Sequence, residues 1–168
     1  TFNVMQAAIK KNVKQIIFAS SEWVYGEEKS SKLKNEKNFI SSQKISSDYS
    51  LSKILGEQIV EYYSIKNKIN CTILRFGIIY GPRKSNKNMS AVENILKNMI
   101  AKNELIVGSK KTARRFIYIT DLCEAISKVI GMKKINKFNI TGNELINLEK
   151  IYKEGKKILR KEVKIIET

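Results

Sequence analysis

The segment from Asp48 to Lys53, which reads DYSLSK, places a tyrosine four residues before a lysine. On a helix this spacing puts both side chains on one face, about 6 Å apart along the axis. A free phenol loses its proton only near pH 10, and a neighbouring ammonium stabilises the phenolate that results. Tyr49 and Lys53 are therefore candidates for taking a proton from an alcohol while a cofactor takes the hydride.

Spacing alone does not select this pair, because four other tyrosines have a lysine four residues later. Tyr80 is followed by Gly81 and Pro82, which do not continue a helix. Tyr49 alone opens a helix shortly after a strand that ends in hydroxyl groups, so position along the chain favours it. The four other pairs are Tyr25–Lys29, Tyr62–Lys66, Tyr80–Lys84 and Tyr152–Lys156.

The strand that precedes this helix is predicted over Val13–Ala19, a short β-branched run with few charges. It is followed by Ser20 and Ser21. Because ligands of open α/β sheets lie beyond the carboxyl ends of the strands, we expect a site at these hydroxyls.

The helix itself is predicted from Tyr49 to about Lys66, with Ser47 or Asp48 as its cap. Gly56 costs about 1 kcal/mol relative to alanine in a helix, and the close approach of another group explains its presence. The apolar stripe expected to face the core consists of Leu51, Leu55, Ile59 and Tyr62.

Strand and helix patterns alternate along the rest of the chain, which predicts an α/β class with a mainly parallel sheet. A solvated loop is predicted over Glu27–Ser47, and this length is typical of a disordered segment or a functional covering. Helices are predicted over Thr1–Lys11, Ser90–Lys102, Asp121–Ile130 and Leu148–Leu159, and strands over Asn70–Phe76, Leu105–Val107, Arg115–Ile119, Lys137–Thr141 and Val163–Glu167.

Composition narrows the class of function. The net charge of +16 comes almost entirely from lysines spread along the chain, and the five arginines form no stripe with aromatic residues. This pattern predicts no specific nucleic-acid partner. No apolar run is long enough to cross a bilayer, and the first fourteen residues lack the apolar stretch of a signal peptide. Histidine is absent and the cysteines are not clustered, so we expect no metal site. Cys71 and Cys123 each lie inside an apolar segment, which predicts two buried thiols in a reducing, cytoplasmic compartment.

Several segments, in this order, resemble the extended short-chain dehydrogenase/reductase family, the NAD-dependent epimerase/dehydratase enzymes. The segments are TFNVMQAA at 1–8, IFASSEWVYG at 17–26, YSLSK at 49–53 followed by Glu57, LRFGIIYGPR at 74–83 and RRFIYITD at 114–121. The resemblance implies a partial Rossmann-like, doubly wound parallel sheet with part of a small C-terminal α/β substrate domain. Residues 1–83 would form the C-terminal half of the dinucleotide-binding domain with the catalytic residues, and residues 84–168 would be mainly substrate-binding and interleaved with the sheet.

The resemblance also implies roles for individual residues. Ser21 matches the hydroxyl that binds the reacting oxygen, Tyr49 the general acid/base, and Lys53 the lysine that stabilises the phenolate and holds the nicotinamide ribose. Ser20, Phe76 and Gly77 match positions close to the cofactor. Glu22, Arg83 and Arg114 match substrate positions, the two arginines near a diphosphate. Two simpler interpretations stay open, in which Ser21 only caps a turn and Arg83 is a solvated loop charge.

The implied cofactor is NAD, with NADP still open, and the implied substrate is a nucleotide sugar. The glycines form no glycine-rich phosphate loop between a strand and a helix. A homodimer is one assembly that the resemblance allows for the whole protein.

Departures from the family pattern concern the substrate more than the chemistry. Ile78 stands where sugar-nucleotide epimerases often have asparagine, and Arg115 where aspartate is usual. Glu22 is acidic but Trp23 is not, which favours epimerisation or simple oxidoreduction over dehydration. We therefore predict an epimerase-like oxidoreductase with transient hydride transfer. The alternative is a non-catalytic truncated fragment or basic binding module.

Overall fold

The computed structural model describes residues 1–26, 34–38, 45, 47–82, 89–107 and 109–167. Arg83, one of the predicted substrate contacts, lies outside the described residues, as does most of the predicted loop over 27–47. The described chain forms two compact units, residues 1–76 with 123–140 and residues 77–122 with 141–168.

The elements of the first unit are α1 (Phe2–Lys10), β1 (Gln15–Ser21), a 3₁₀ turn (Glu22–Tyr25), α2 (Asp48–Asn67), β2 (Asn70–Phe76) and β6 (Ile135–Ile140). Its three strands are parallel and lie in the order β1–β2–β6. Helix α2 packs against β1, β2 and helix α1, and it also contacts the 3₁₀ turn that follows β1. In the parallel register Ser20 pairs with Arg75 and Ser21 with Phe76, so the last residues of both strands lie at one edge.

Helix α2 begins at Asp48, one residue before the predicted start. Of the two predicted caps Ser47 is the one used, since its hydroxyl accepts a hydrogen bond from the backbone N–H of Ser50. The predicted core stripe of α2, however, is wrong. Leu51, Leu55 and Tyr62 are exposed, at 38%, 52% and 57%, and of that stripe only Ile59 packs against the core. The buried positions are Ser50, Ile54, Gly56, Glu57, Val60 and Ser64.

Two contacts explain why the more polar face of α2 is buried. Phe18 of β1 points at Gly56, where the missing side chain leaves room for its ring. Glu57 is buried because Arg75 of β2 neutralises its charge. The first core cluster then forms around Met5, Val60, Cys71 and Ile73. Cys71 is buried as predicted, whereas Cys123 is exposed, so its predicted burial is wrong.

The second unit contains three short pairings of strands. β3 (Ile78–Tyr80) is parallel to β5 (Ala113–Tyr118), β5 is antiparallel to β7 (Leu145–Asn147), and β4 (Glu104–Val107) is parallel to β8 (Lys164–Glu167). Helices α3 (Ala91–Ala101) and α5 (Leu148–Leu159) pack together around a cluster of Met99, Leu105, Tyr152 and Val163. Helix α4 (Ile119–Val129) starts in this unit and continues into the first.

The predicted α/β class with a mainly parallel sheet is confirmed. None of the helices in the described ranges is long and apolar enough to cross a membrane.

Candidate active site

Ser21 ends β1 and starts the turn that leaves the sheet. Its side chain is buried, and its Oγ accepts a hydrogen bond from the backbone N–H of Trp23 at 3.3 Å. The turn is anchored by the fully buried Val24 and closes at Gly26, whose φ of 79° favours glycine. Ser21 thus does cap a turn, but a serine hydroxyl that accepts one hydrogen bond still has its own proton to donate.

Tyr49 and Lys53 lie together on α2, as the spacing predicts. The Lys53 Nζ is 5.5 Å from the centroid of the Tyr49 ring and 5.7 Å from that of Phe18. It donates a hydrogen bond to the carbonyl oxygen of Ala19 at 2.8 Å, two residues before Ser21. An ammonium has three protons, so two remain for other partners. Tyr49 is half-exposed, which leaves its ring accessible to a ligand.

The other tyrosine–lysine pairs occupy different settings. Tyr62 and Lys66 have nearly the same geometry, with the ammonium 5.8 Å from the ring centroid, but they lie near the far end of α2. Tyr152 is buried in the core of the second unit, where burial raises the pKa of its phenol. The Tyr25 hydroxyl is bonded to Arg75. Lys29 and Lys84 lie outside the described residues.

Three of the remaining predicted site residues belong to the same sheet edge. Ser20 is buried, and its hydroxyl donates a hydrogen bond to the Glu57 carboxylate. Phe76 ends β2 directly beside Ser21. Glu22 is the first residue of the 3₁₀ turn. Whether these residues contact cofactor or substrate stays a prediction.

Gly77 and Arg114 belong to the second unit. A side chain at Gly77 would collide with Thr141 and would lie 2.9 Å from the carbonyl oxygen of Arg115, so close packing requires glycine there. Arg114 is exposed on β5, and its Nη1 donates to the carbonyl oxygen of Ala113 at 2.8 Å. Their predicted roles at cofactor and substrate also stay predictions.

A buried ion pair beside the site was not foreseen as part of it. Arg75 donates through Nε and Nη2 to the two oxygens of Glu57, at 3.0 and 2.7 Å, and each side chain is 2% exposed. Burial acts to lower the pKa of Arg75, but the hydrogen bonds that it donates to Glu57 and Tyr25 outweigh burial and raise that pKa. The available signal in the sequence was a lone arginine within the apolar strand CTILRF.

Several curated proteins with similar sequences carry names that refer to nucleotide sugars. A protein of Methanocaldococcus jannaschii, provisionally named a UDP-glucose 4-epimerase, is 30% identical over 151 residues, which are 88% of this chain and 45% of that protein. A UDP-N-acetyl-alpha-D-glucosaminuronate decarboxylase of Bacillus cytotoxicus is also 30% identical over 151 residues, or 88% and 44% of the two chains. The chain thus spans about half the length of the curated relatives it matches.

Solved structures give the same fold. The UDP-glucuronic acid 4-epimerase from Bacillus cereus, in complex with UDP-glucuronic acid and NAD, superimposes with a TM-score of 0.82 at 26% identity, covering 99% of this chain and 53% of that one. The UDP-N-acetylglucosamine 4-epimerase from Methanobrevibacter ruminantium M1 gives 0.83 at 20% identity, covering 99% and 53%. The model of the NAD dependent epimerase/dehydratase family matches residues 1–141. The chain therefore belongs to the NAD-dependent epimerase/dehydratase family.

Proposed function

We propose that the whole protein is an NAD-dependent sugar-nucleotide epimerase whose catalytic residues are Ser21, Tyr49 and Lys53. The observation that carries this proposal is the position of Lys53, whose ammonium is held by Ala19 at the end of β1 and lies beside the Tyr49 ring. This arrangement brings the tyrosine–lysine pair to the carboxyl edge of parallel strands, where open α/β sheets bind ligands.

Each residue has a task that its chemistry fits. The Tyr49 oxygen takes the proton of a sugar hydroxyl, and Lys53 stabilises the negative charge that develops on the phenol. Ser21 donates its unused proton to the same sugar oxygen. The two remaining Lys53 protons suit the hydroxyls of a nicotinamide ribose. When bound, NAD supplies reversible hydride acceptance at the carbon that carries this hydroxyl.

Tyr49→Phe in the whole protein tests the assignment. We expect turnover to fall by about 10²- to 10⁴-fold, the range for loss of a general acid/base, while NAD still binds because Lys53 is unchanged. Tyr62→Phe is the matched control, since its lysine has the same ring geometry at the other end of the helix. Near-normal turnover in Tyr49→Phe would refute the acid/base role.

An epimerase and a reductase make different predictions for the cofactor. An epimerase returns it unchanged, so absorbance at 340 nm should show no net change while one sugar nucleotide converts into its epimer. A stoichiometric change in NADH with each product formed would identify a reductase instead.

We propose a nucleotide sugar as the substrate and assign Arg83 and Arg114 to its diphosphate; the names of the relatives support this proposal. Arg114→Ala should raise KM for a UDP-sugar with a smaller effect on kcat, because uniform binding is lost. Arg114→Lys keeps the charge but loses the planar guanidinium that binds two oxygens, so its KM should lie between those of the wild-type protein and Arg114→Ala. An unchanged KM in both variants would remove Arg114 from the site.

We also propose a homodimer that pairs through the exposed apolar face of α2. Leu51, Leu55, Tyr62 and Ile65 lie on one side of this helix and are 38% to 64% exposed. Leu55→Glu should shift the whole protein to monomers in light scattering, whereas Gln58→Glu, at an exposed polar position of the same helix, should not. A dimer that survives Leu55→Glu would refute this interface.

A further inference from the structure

Ser21 lies between two residues that are both tied to one buried ion pair. Ser20, directly before it, donates its hydroxyl proton to Glu57 Oε1. Tyr25, four residues after it, accepts a hydrogen bond from Arg75 Nη1 at 2.7 Å, and the guanidinium carbon lies 5.0 Å from the centroid of the Tyr25 ring. The strand end and the turn that flank Ser21 are thus fixed to the Glu57–Arg75 pair.

The same pair holds the other half of the proposed site. Glu57 lies on α2 one turn after Lys53 and two turns after Tyr49, so its carboxylate and the proposed catalytic side chains share one rigid helix. Two bonds join this helix to the end of β1, from Lys53 to the Ala19 carbonyl at 2.8 Å and from Ser20 to Glu57. The distance of Ser21 from the Tyr49 helix is therefore set by these bonds.

Arg75 connects this unit to further elements. It lies on β2 opposite Ser20 and reaches Glu57 with two nitrogen atoms, which is the rigid bidentate geometry of arginine with a carboxylate. The Tyr25 hydroxyl that it contacts also lies 2.7 Å from Oδ1 of Asn139 on β6. Strands β1, β2 and β6, the turn after β1 and helix α2 thus meet at one network of hydrogen bonds.

We infer that Glu57 and Arg75 are positioning residues, which hold Ser21 at a fixed place relative to Tyr49 and Lys53. Neither side chain is exposed enough to touch a substrate, so the pair acts through Ser20 and Tyr25. This inference rests on the proposed function, because it assumes that Ser21 and Tyr49 act on one substrate oxygen. It predicts that loss of the pair lowers turnover even where the protein regains its stability.

A double variant separates positioning from stability. Glu57→Leu or Arg75→Met alone leaves an unpaired buried charge, and we expect a large loss of stability or a failure to fold. Glu57→Leu combined with Arg75→Met removes both charges, and such apolar replacements of buried ion pairs are often neutral or stabilising. The double variant should recover most of the lost stability, yet its kcat should be lower by about 10- to 100-fold, the effect of a misplaced catalytic group.

Two further variants keep the test decisive. Tyr25→Phe keeps the ring but removes the hydroxyl that Arg75 contacts, and it should lower kcat with little change in the NAD dissociation constant. Glu61→Gln is the matched control, because Glu61 lies one turn after Glu57 on α2 and pairs with Lys137 at 2.8 Å, away from the end of β1. Turnover of Glu61→Gln should stay at the wild-type value.

Hydrogen exchange supplies a readout that does not need turnover. The amides of Trp23 and Gly26 form the hydrogen bonds of the Ser21 turn, and they should exchange faster in the double variant and in Tyr25→Phe. The amide of Cys71, bonded to Lys134 at the other end of β2, is the internal control and should not change.

The outcomes are distinguishable. The inference would be overturned by a wild-type kcat in a stable double variant and in Tyr25→Phe, together with unchanged exchange at Trp23 and Gly26. If Tyr49→Phe is inactive in the same experiments, the proposed function still stands. If the wild-type protein turns over no nucleotide sugar, the proposed function fails. The exchange rates alone then decide whether the pair holds the turn, and unchanged rates would overturn that as well.

Discussion

Gly56 offers a quantitative test of how α2 packs on the sheet. At this residue the helix propensity gained by adding a methyl group opposes the cost of overpacking against Phe18. The α-carbon of Gly56 faces the tip of the Phe18 ring, so a methyl group added there would overlap Cζ and lie 3.2 Å from both Cε atoms. The Phe18 ring packs on the core of the first unit and also lies beside the Lys53 ammonium. It therefore cannot move without disturbing both neighbours.

The expected free energies follow from these contacts. Gly→Ala in a helix interior stabilises by about 1 kcal/mol where the methyl group has room. Overpacking of a filled core costs about 1 to 3 kcal/mol. Gly56→Ala should therefore destabilise the protein by about 1 kcal/mol in the wild-type background. In a Phe18→Leu background the Cζ atom is gone, and the same substitution should stabilise by up to about 1 kcal/mol.

Chemical denaturation of the four proteins of this cycle measures both effects and their coupling. The change of sign between the two backgrounds is the essential result, and it corresponds to a coupling free energy of about 2 kcal/mol. If Gly56→Ala stabilises the wild-type protein, or has the same effect in both backgrounds, the close approach of Phe18 is not what requires glycine.

Three further predictions concern other parts of the chain. Burial raises the pKa of the Cys71 thiol to about 11 from its ordinary value of about 9. Because the unfolded state releases this proton at a lower pH than the folded state, the protein should lose about 2 to 3 kcal/mol of stability between pH 9 and pH 11. Cys71→Ala should not show this loss, and denaturant titration at each pH measures both proteins. Ser90→Ala removes a capping box with Glu93 at the start of α3 and should cost about 1 kcal/mol of unfolding free energy, whereas Asn94→Ala within the helix should not. The 168-residue chain by itself should bind NAD weakly in calorimetry, because it contains no glycine-rich phosphate loop, and tight NAD binding would contradict this. The same chain should associate at micromolar concentration, because Ile17 is exposed on β1, which pairs with β2 alone among the described strands.

Elements with a strong local pattern could be predicted from the sequence. β2 and α5 have the predicted bounds, and β1 is shifted by two residues. β1 and β2 each contain a short run of apolar and β-branched residues, and α5 is twelve residues long, which is enough to show a helical period. The strands β3 and β7 were missed, because three residues carry no readable period and form strands only through their partner β5.

The orientation of α2 could not be predicted because it depends on distant residues. The helix has apolar side chains on two faces, and the sequence favours the one with Leu51 and Leu55. Which face is buried is decided by Phe18, 38 positions before Gly56, and by Arg75, 18 positions after Glu57. Burial of a charged residue can be predicted only when its ion-pair partner is known, and local periodicity does not identify a partner on another element.

The two tyrosine–lysine pairs of α2 show what kind of information identifies a candidate site. Tyr49–Lys53 and Tyr62–Lys66 have the same spacing and almost the same distance from ammonium to ring centroid, 5.5 and 5.8 Å. The difference lies in what else the lysine reaches, since Lys53 donates to the Ala19 carbonyl at the end of β1. A tyrosine becomes a candidate acid/base when its helix starts where parallel strands end, because a substrate there can reach groups from several elements at once. The Tyr49→Phe and Tyr62→Phe variants therefore compare two chemically equal pairs that differ only in their place in the fold, and any difference in turnover between them measures the contribution of that place.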